Sequence, residues 1–300
     1  MGISGDAQGI LSAGIRKMRK PYIKLIDDVR EYYTSNLPEL KNIKGDKGLF
    51  DLKWCPDLKD EINIWNYWQG RGQKKVNIMV VGQDFGNYEG AKAYEDYKKW
   101  MRTPETQGKV VSQEYIERIK GFNSPTDKGL IKLTTDCLGK THSASIPGNE
   151  NLFFTNLCLG YRSSITISGG NVFTFLKHDS IYLKRLIEIK QPEAVICLGA
   201  DTYLAALSGL VDLSNYDTYR DYFRQIDSDF WSLLDKGDNS RDISIAGHSI
   251  TVFGVAHTGS NGRINRKRLS KKHRNSKKSA FDLMQEDWKR IKGFIKYDYG

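Results

Sequence analysis

Cysteine is scarce in this chain of 300 residues, and long apolar runs are missing. The four cysteines stand far apart along the sequence, at Cys55, Cys137, Cys158 and Cys197. They are too few for a disulfide framework, and no two have the Cys-x-x-Cys spacing of a metal-binding knuckle. We therefore expect a reducing, cytoplasmic environment and no metal site. No run approaches the roughly 18 consecutive apolar residues of a membrane-spanning helix, so we expect a soluble protein with no membrane partner.

Acidic residues are absent from one basic segment, which accounts for most of the net charge. The chain has 46 Lys and Arg against 36 Asp and Glu, which gives a formal charge of +10. Residues 263–279 contain nine of these cations, and the rest of the chain carries only +1. Such a run can be a solvated surface, or it can bind phosphate groups. Its position directly after a candidate active-site loop favours phosphate contacts and therefore nucleic acid.

Four short apolar runs predict the strands of a sheet: residues 76–81, 152–159, 194–198 and 250–255. Helix-like stretches separate them along the chain, and this alternation is typical of an α/β fold. Because the runs are apolar without interruption, we expect the strands to be buried on both faces. The pattern predicts a three-layer α/β/α sandwich around a mainly parallel, four-stranded central sheet.

The chain divides into two parts at the first predicted strand. Residues 76–300 are expected to form one α/β domain, in which the polar stretch 234–244 is an exposed loop before the last strand. A helix from about residue 279 to 295, with Ser279 as its N-cap, closes this domain. Residues 1–75 carry no interpretable motif, and we predict a helical and loop segment packed on the body.

Polar residues follow or end three of the predicted strands, at the sheet edge where α/β proteins bind ligands. Asp84 follows the first strand within Gly82–Asn87; its carboxylate can orient a water molecule, or it can cap the next helix. Asn156 interrupts an apolar strand, and its amide suits either the edge of a pyrimidine or a satisfied core position. His257 opens a polar, Gly-containing loop that continues into the basic segment, and it is either structural or catalytic. These three residues are the candidates for chemistry.

In their order and spacing, these segments resemble the motifs of the uracil-DNA glycosylase superfamily. Residues 82–84, Gly-Gln-Asp, match the start of the family's first motif. The strand LFFTNLCLGYR places Asn156 and Arg162 at the separation of the middle motif. His257 matches the histidine of the closing motif, and residues 191–207 are similar to the third-strand element with its Leu-Gly turn. The resemblance extends from the first predicted strand to the closing helix.

The resemblance implies a monofunctional DNA glycosylase. Such an enzyme flips a pyrimidine nucleotide out of the DNA, hydrolyses its N-glycosidic bond and leaves an abasic site, as in base-excision repair. It uses no metal or other cofactor. Its partner would be single- or double-stranded DNA, which would place the protein in the cytoplasm near the nucleoid. No obligatory protein partner is indicated.

By position, the resemblance implies catalytic roles for two residues. Asp84 would orient the water, and His257 would donate a hydrogen bond to the departing base. Gln83 would offer its backbone N–H to the base, and Asn156 its amide. The same base pocket would include Phe85, Gly86 and Phe122. The implied DNA contacts are Arg162, Thr258, Ser260, Asn261, Arg263, Arg266, Lys267 and Arg268.

Gly86 departs from the best-known family pattern, in which a tyrosine blocks any substituent at C5 of the base. A glycine removes this wall, so we expect a pocket for uracil or for thymine-like and larger 5-substituted pyrimidines. The closing loop also lacks the family's prolines and its intercalating leucine. Two alternatives remain open. One is a catalytically inactive DNA-binding module on the same fold, and the other is a hydrolase of small nucleosides or nucleotides, which leaves the basic segment without a role.

Overall fold

The computed structural model describes six helices, two sheets and part of a further helical segment. The described residues are 52–53, 76–83, 125–138, 152–157, 161–162, 173–210 and 229–295, with helical positions 21, 24, 25, 28, 29, 31 and 32. The strands are β1 (Leu52–Lys53), β2 (Ile78–Gly82), β3 (Leu152–Asn156), β4 (Tyr161–Arg162), β5 (Ala194–Leu198), β6 (Ser240–Ile245) and β7 (His248–Val255). The helices are α1 (Pro125–Leu138), α2 (Phe173–Lys190), α3 (Ala200–Leu210), α4 (Phe230–Lys236), α5 (Ser260–Arg268) and α6 (Ala280–Lys292).

The central sheet has five strands in the order β3-β2-β5-β7-β6. Strands β3, β2, β5 and β7 run parallel, whereas β6 pairs antiparallel with β7 at the edge. The α/β class and the mainly parallel sheet are therefore confirmed. The expected number of four strands was wrong, because residues 240–245 form a strand and not part of an exposed loop.

Strand β6 gives little signal in the sequence because one of its faces is solvated. Its residues are mostly polar, and only Ile245 is buried. Ala246 and Gly247 join β6 to β7, and both have positive φ angles, of 49° and 78°. This is the backbone of a two-residue hairpin turn that matches the twist of antiparallel strands. The turn fixes the register, and β6 covers the edge of β7.

Helices pack on both faces of the sheet because successive strand residues point to opposite sides. On one face, Met79 and Val81 of β2 share a core with α2, α3 and the helical positions Leu25 and Val29. On the other face, the alternate residues of β2 share a core with α1 and α6. All five residues of β2 and all five of β5 are buried, which explains their uninterrupted apolar sequences.

Helix α6 closes the second face, and its boundaries follow from its sequence. Ser279 caps the helix by accepting a hydrogen bond from Asp282 N over 3.1 Å, and the Asp282 carboxylate accepts one from Ser279 N over 2.8 Å. The buried side chains of Leu283, Met284 and Trp288 recur at helical spacing. The predicted cap and closing helix are confirmed. Because α6 packs against both α1 and α5, it supports the helix that borders the candidate site.

The prediction for residues 1–75 falls mostly outside the described residues. Within them, Arg185 of α2 forms an ion pair of 2.6 Å with Asp28, close to the buried Leu25 and Val29. Strand β1 pairs antiparallel with β4 in a separate two-stranded sheet. In the described part of the chain, no helix is long and apolar enough to cross a membrane.

Candidate active site

A cleft of about 710 Å³ opens at the edge where the parallel strands end. Gln83 follows β2, Gly199 follows β5 and His257 lies just beyond β7, and all three line the cleft. Helices α3, α4 and α5 supply the remaining walls. The cleft therefore lies at the sheet edge where open α/β sheets bind their ligands.

His257 is half-buried between β7 and α5, and its ring is held in one tautomer. Gly259 N donates a hydrogen bond to His257 Nδ1 over 3.1 Å. A ring nitrogen that accepts a hydrogen bond carries no proton, so the hydrogen of the neutral ring lies on Nε2. The local backbone thus makes His257 a donor through Nε2.

Two glycines allow the loop and α5 to approach His257 closely. A Cβ at Gly259 would lie 3.1 Å from His257 Nδ1 and 2.7 Å from Thr126 Oγ1. A Cβ at Gly262 would overlap the carbonyl oxygen of His257 and would lie 2.8 Å from its Cβ. Glycine at both positions is therefore part of how the chain positions this histidine.

Asn156 lies beside Gly82, the last residue of β2, which directly precedes Gln83. Gly82 of β2 is in register with Asn156 of β3, and Leu157 N donates a hydrogen bond to Gly82 O over 2.8 Å. A Cβ at Gly82 would overlap Asn156 Oδ1, so the amide lies close to the Gly82 backbone. Asn156 is half-buried but does not line the cleft. The structure thus brings Gln83 and His257 to one cleft and places Asn156 on the adjacent strand.

Several residues of the cleft were missed by sequence reasoning, among them Asp201 and Thr202 in the first turn of α3 and Trp231 of α4. Burial raises the pKa of the Asp201 carboxyl above its usual value. Thr202 is 1 % exposed, and its Oγ1 has no hydrogen-bond partner among the described residues. The sequence signal for this wall is Gly199, whose φ of 103° turns the chain from β5 into α3.

Two residues predicted to contact DNA are buried and hold the fold instead. Thr258 is fully buried, and its Oγ1 donates to Thr126 O over 2.9 Å, which ties the loop to α1. Arg266 is 1 % exposed and donates to Asp287 Oδ2 of α6 over 2.7 Å and to Asp235 Oδ1 of α4 over 2.8 Å. Neither side chain is accessible to a phosphate group, so both predictions were wrong.

The other residues of α5 differ in exposure. Ser260 and Asn261 are exposed in its first turn, and Asn261 lines the cleft, where the partial positive charge of a helix N-terminus favours anions. Arg268 is exposed and also lines the cleft. Arg263 is half-buried, and its Nε donates a hydrogen bond to the carbonyl oxygen of Thr258 over 3.1 Å. Ile264 also lines the cleft and is 57 % exposed.

Some predicted site residues cannot be placed in the cleft. Arg162 lies on β4, where it pairs with Leu52 in the separate two-stranded sheet and not on the central sheet. The predictions for Asp84, Phe85, Gly86 and Phe122 lie outside the described residues.

Comparison with known protein sequences assigns no family to the chain. No protein-family model matches it, and no curated protein matches it in sequence. Among the described residues, no group of three or more His, Cys, Asp or Glu side chains could hold a metal ion. A proposal for the function of this cleft therefore rests on its geometry and on the motifs at the strand ends.

Proposed function

We propose that this protein is a DNA glycosylase that hydrolyses the N-glycosidic bond of a flipped-out pyrimidine. The observation that carries the proposal is the fixed tautomer of His257 in a cleft at the strand ends. Because Nδ1 accepts the Gly259 N–H, the neutral ring is a hydrogen-bond donor at Nε2. Such a donor stabilises an oxygen on which negative charge grows, as on the carbonyl of a departing pyrimidine.

In the proposed reaction, water adds to C1′ of the sugar as the bond between C1′ and the base nitrogen breaks. The bonding electrons leave with the base, whose carbonyl oxygen accepts a hydrogen bond from His257 Nε2. Asp84 orients the water and takes up its proton. Gln83 offers its backbone N–H to the base, and Asn156 offers its amide. Solvent protonates the departing base, so the products are the free base and an abasic site.

The proposal extends to the fold and the partner. Helices on both faces of the sheet agree with a three-layer α/β/α sandwich of the uracil-DNA glycosylase type, to which β6 adds an edge strand. The N-terminal turn of α5 and the exposed Arg268 put positive charge beside the cleft, which suits a DNA backbone. DNA is then the partner, in the cytoplasm near the nucleoid, and neither a cofactor nor a second protein is required.

The test is base release from single- and double-stranded oligonucleotides that carry uracil, a thymine mismatch or a bulky 5-substituted pyrimidine. Strand scission at each abasic site reports the released base. We expect Asp84→Asn and His257→Ala each to lower the rate by about 10²–10³-fold, as when a catalytic base or an oxyanion donor is removed. Release of 5-substituted bases would support the hypothesis that Gly86 leaves room for a substituent at C5 of the base, whereas strict preference for uracil would contradict it.

The histidine at the other end of β7 provides the matched control. His248 begins β7, at the opposite end from the cleft, and its Nε2 lies 2.9 Å from Pro192 O. We expect His248→Ala to leave the rate of base release unchanged. If the wild-type protein releases no base but binds DNA in a salt-sensitive way, it is a DNA-binding module. Binding of free nucleotides without binding of DNA would instead indicate a small-molecule hydrolase.

A further inference from the structure

The loop between α5 and α6, residues 269–279, is anchored to the interior at two points; we name it the basic loop. The first anchor is the buried Asp235 of α4, whose carboxylate accepts hydrogen bonds from Ser270 Oγ over 2.8 Å and from Lys272 N over 3.1 Å. Burial pushes the pKa of Asp235 upward, but the hydrogen bonds from Arg266, Lys272 N and Ser270 outweigh it and hold the pKa below its usual value. An ionised carboxylate therefore fixes the start of the loop.

The second anchor is Lys267 of α5. Its Nζ donates to Ser276 O over 2.6 Å, to Ser276 Oγ over 3.0 Å and to Lys278 O over 2.8 Å. An ammonium group has three N–H donors, and these bonds use all of them. Lys267 therefore holds the end of the loop and is not available to a phosphate, which corrects its predicted role as a DNA contact.

The remaining cations of the basic loop and of the end of α5 separate into those with an ion pair and those without one. Lys271 forms an ion pair with Asp229 over 3.2 Å, and Lys278 forms one with Glu286 over 2.6 Å. Within residues 263–279, four exposed cations have no ion pair with a described residue: Arg268 at the end of α5, and Lys272, Arg274 and Lys277 of the basic loop. Because Arg268 also lines the cleft, this set of charges begins at the cleft and continues onto the basic loop.

We propose that the four exposed cations bind the phosphate backbone of the DNA strand whose target nucleotide enters the cleft. This inference rests on the proposed function. Because the two anchors hold the backbone of the basic loop in place, binding a strand orders the exposed side chains but does not have to order the loop itself. Each phosphate that they neutralise releases counterions, which supplies affinity without sequence preference.

A nucleic-acid strand fits this surface better than an anionic membrane does. A segment that lies in a membrane interface needs an apolar face to insert among the lipids. Leu269, which is 39 % exposed, is the one large apolar residue of the basic loop, and every other residue of the loop is basic or polar. The loop thus offers charge without an insertion face, as a phosphate backbone requires.

The test removes three of these charges in the full chain with the triple variant Lys272→Gln, Arg274→Gln, Lys277→Gln. The matched control replaces three exposed lysines of α2 and α6 in the same way: Lys184, Lys289 and Lys292. Fluorescence anisotropy then measures the affinity for unmodified oligonucleotides at several salt concentrations. Each lost phosphate contact reduces the steepness of log K against log salt by about 0.7 for single strands and about 0.9 for duplex. We expect the triple variant to reduce it by about 2–3 and the control to leave it unchanged.

Equal salt slopes for the triple variant and the wild type would overturn the proposal, as would an equal loss in the control. Binding to anionic lipid vesicles through the same three cations, with no binding to oligonucleotides, would overturn it in favour of a membrane. The assay does not involve base release. If the protein binds DNA through these cations but releases no base, the proposed catalysis fails, whereas the contact of these cations with the phosphate backbone stands. Base release by a triple variant whose salt slope is unchanged would support the proposed catalysis and overturn the proposed role of the cations.

Discussion

The close approach of α5 to His257 predicts that a single methyl group, in Gly262→Ala, damages both stability and function. In an exposed helix, alanine stabilises by about 0.5–1 kcal/mol relative to glycine. At Gly262, however, the new Cβ would overlap the carbonyl oxygen of His257 and lie 2.6 Å from its carbonyl carbon. Backbone atoms cannot rotate away, and overpacking of this kind costs about 1–3 kcal/mol. We therefore expect a net destabilisation of roughly 1–2 kcal/mol.

Urea unfolding measures the stability of this variant. The rate of the proposed base release reports whether His257 keeps its position. Because α5 can make room only by moving the loop that holds the ring, we expect the rate of base release to fall as well. Gly293→Ala is the matched control, because its Cβ would lie 3.4 Å from Arg290 O, at ordinary contact distance, and its φ is −68°. If Gly262→Ala is more stable than the wild type and keeps its full rate, the steric reasoning is refuted.

Two further predictions concern buried charge. Lys190 is fully buried beside the Phe153 ring, and burial lowers its pKa from 10.5 to about 7. Between these pH values the unfolded state holds more protons, so the free energy of unfolding rises with pH, by at most about 5 kcal/mol. In urea unfolding at several pH values, Lys190→Met should remove this rise; parallel pH profiles of the wild type and the variant would contradict the assignment. Burial raises the pKa of Asp201 in the cleft, so Asp201→Asn should strengthen oligonucleotide binding at neutral pH, and the wild type should approach the variant as the pH falls. Fluorescence anisotropy measures this binding. If Asp201→Asn binds the oligonucleotide more weakly than the wild type, the carboxylate contributes to binding and the prediction is refuted.

The edge of the sheet that carries the cleft was predictable because parallel strands end on the same side. Apolar runs marked β2, β5 and β7, and the residues after them, Gln83 and His257, line one cleft as the strand-end rule requires. The tautomer of His257 was not predictable. The sequence shows that Gly259 follows two residues later, but it does not show that the Gly259 N–H points at Nδ1.

Other parts of the fold and the site have weak or ambiguous signals. Strand β6 has a solvated face and therefore no apolar run, and its hairpin turn begins with Ala246, which is not a residue that favours a positive φ. Asp201 stands in the first turn of α3, where an acid is common because it complements the helix dipole. Its presence in the cleft depends on how α3 leaves β5, and the composition of the helix does not reveal it.

The basic segment shows why a charge count cannot identify the residues that are available to a phosphate group. Its cations look alike in the sequence, yet Arg266 lies between Asp235, 31 positions away, and Asp287, 21 positions away. Removing a guanidinium from water is costly unless carboxylates pair with it, so these two acids decide that Arg266 lies inside the protein. They belong to α4 and α6, and no local pattern brings them to α5. The positive field at the surface of this segment is therefore weaker than the sequence suggests, and it comes mainly from the exposed cations that have no ion pair among the described residues.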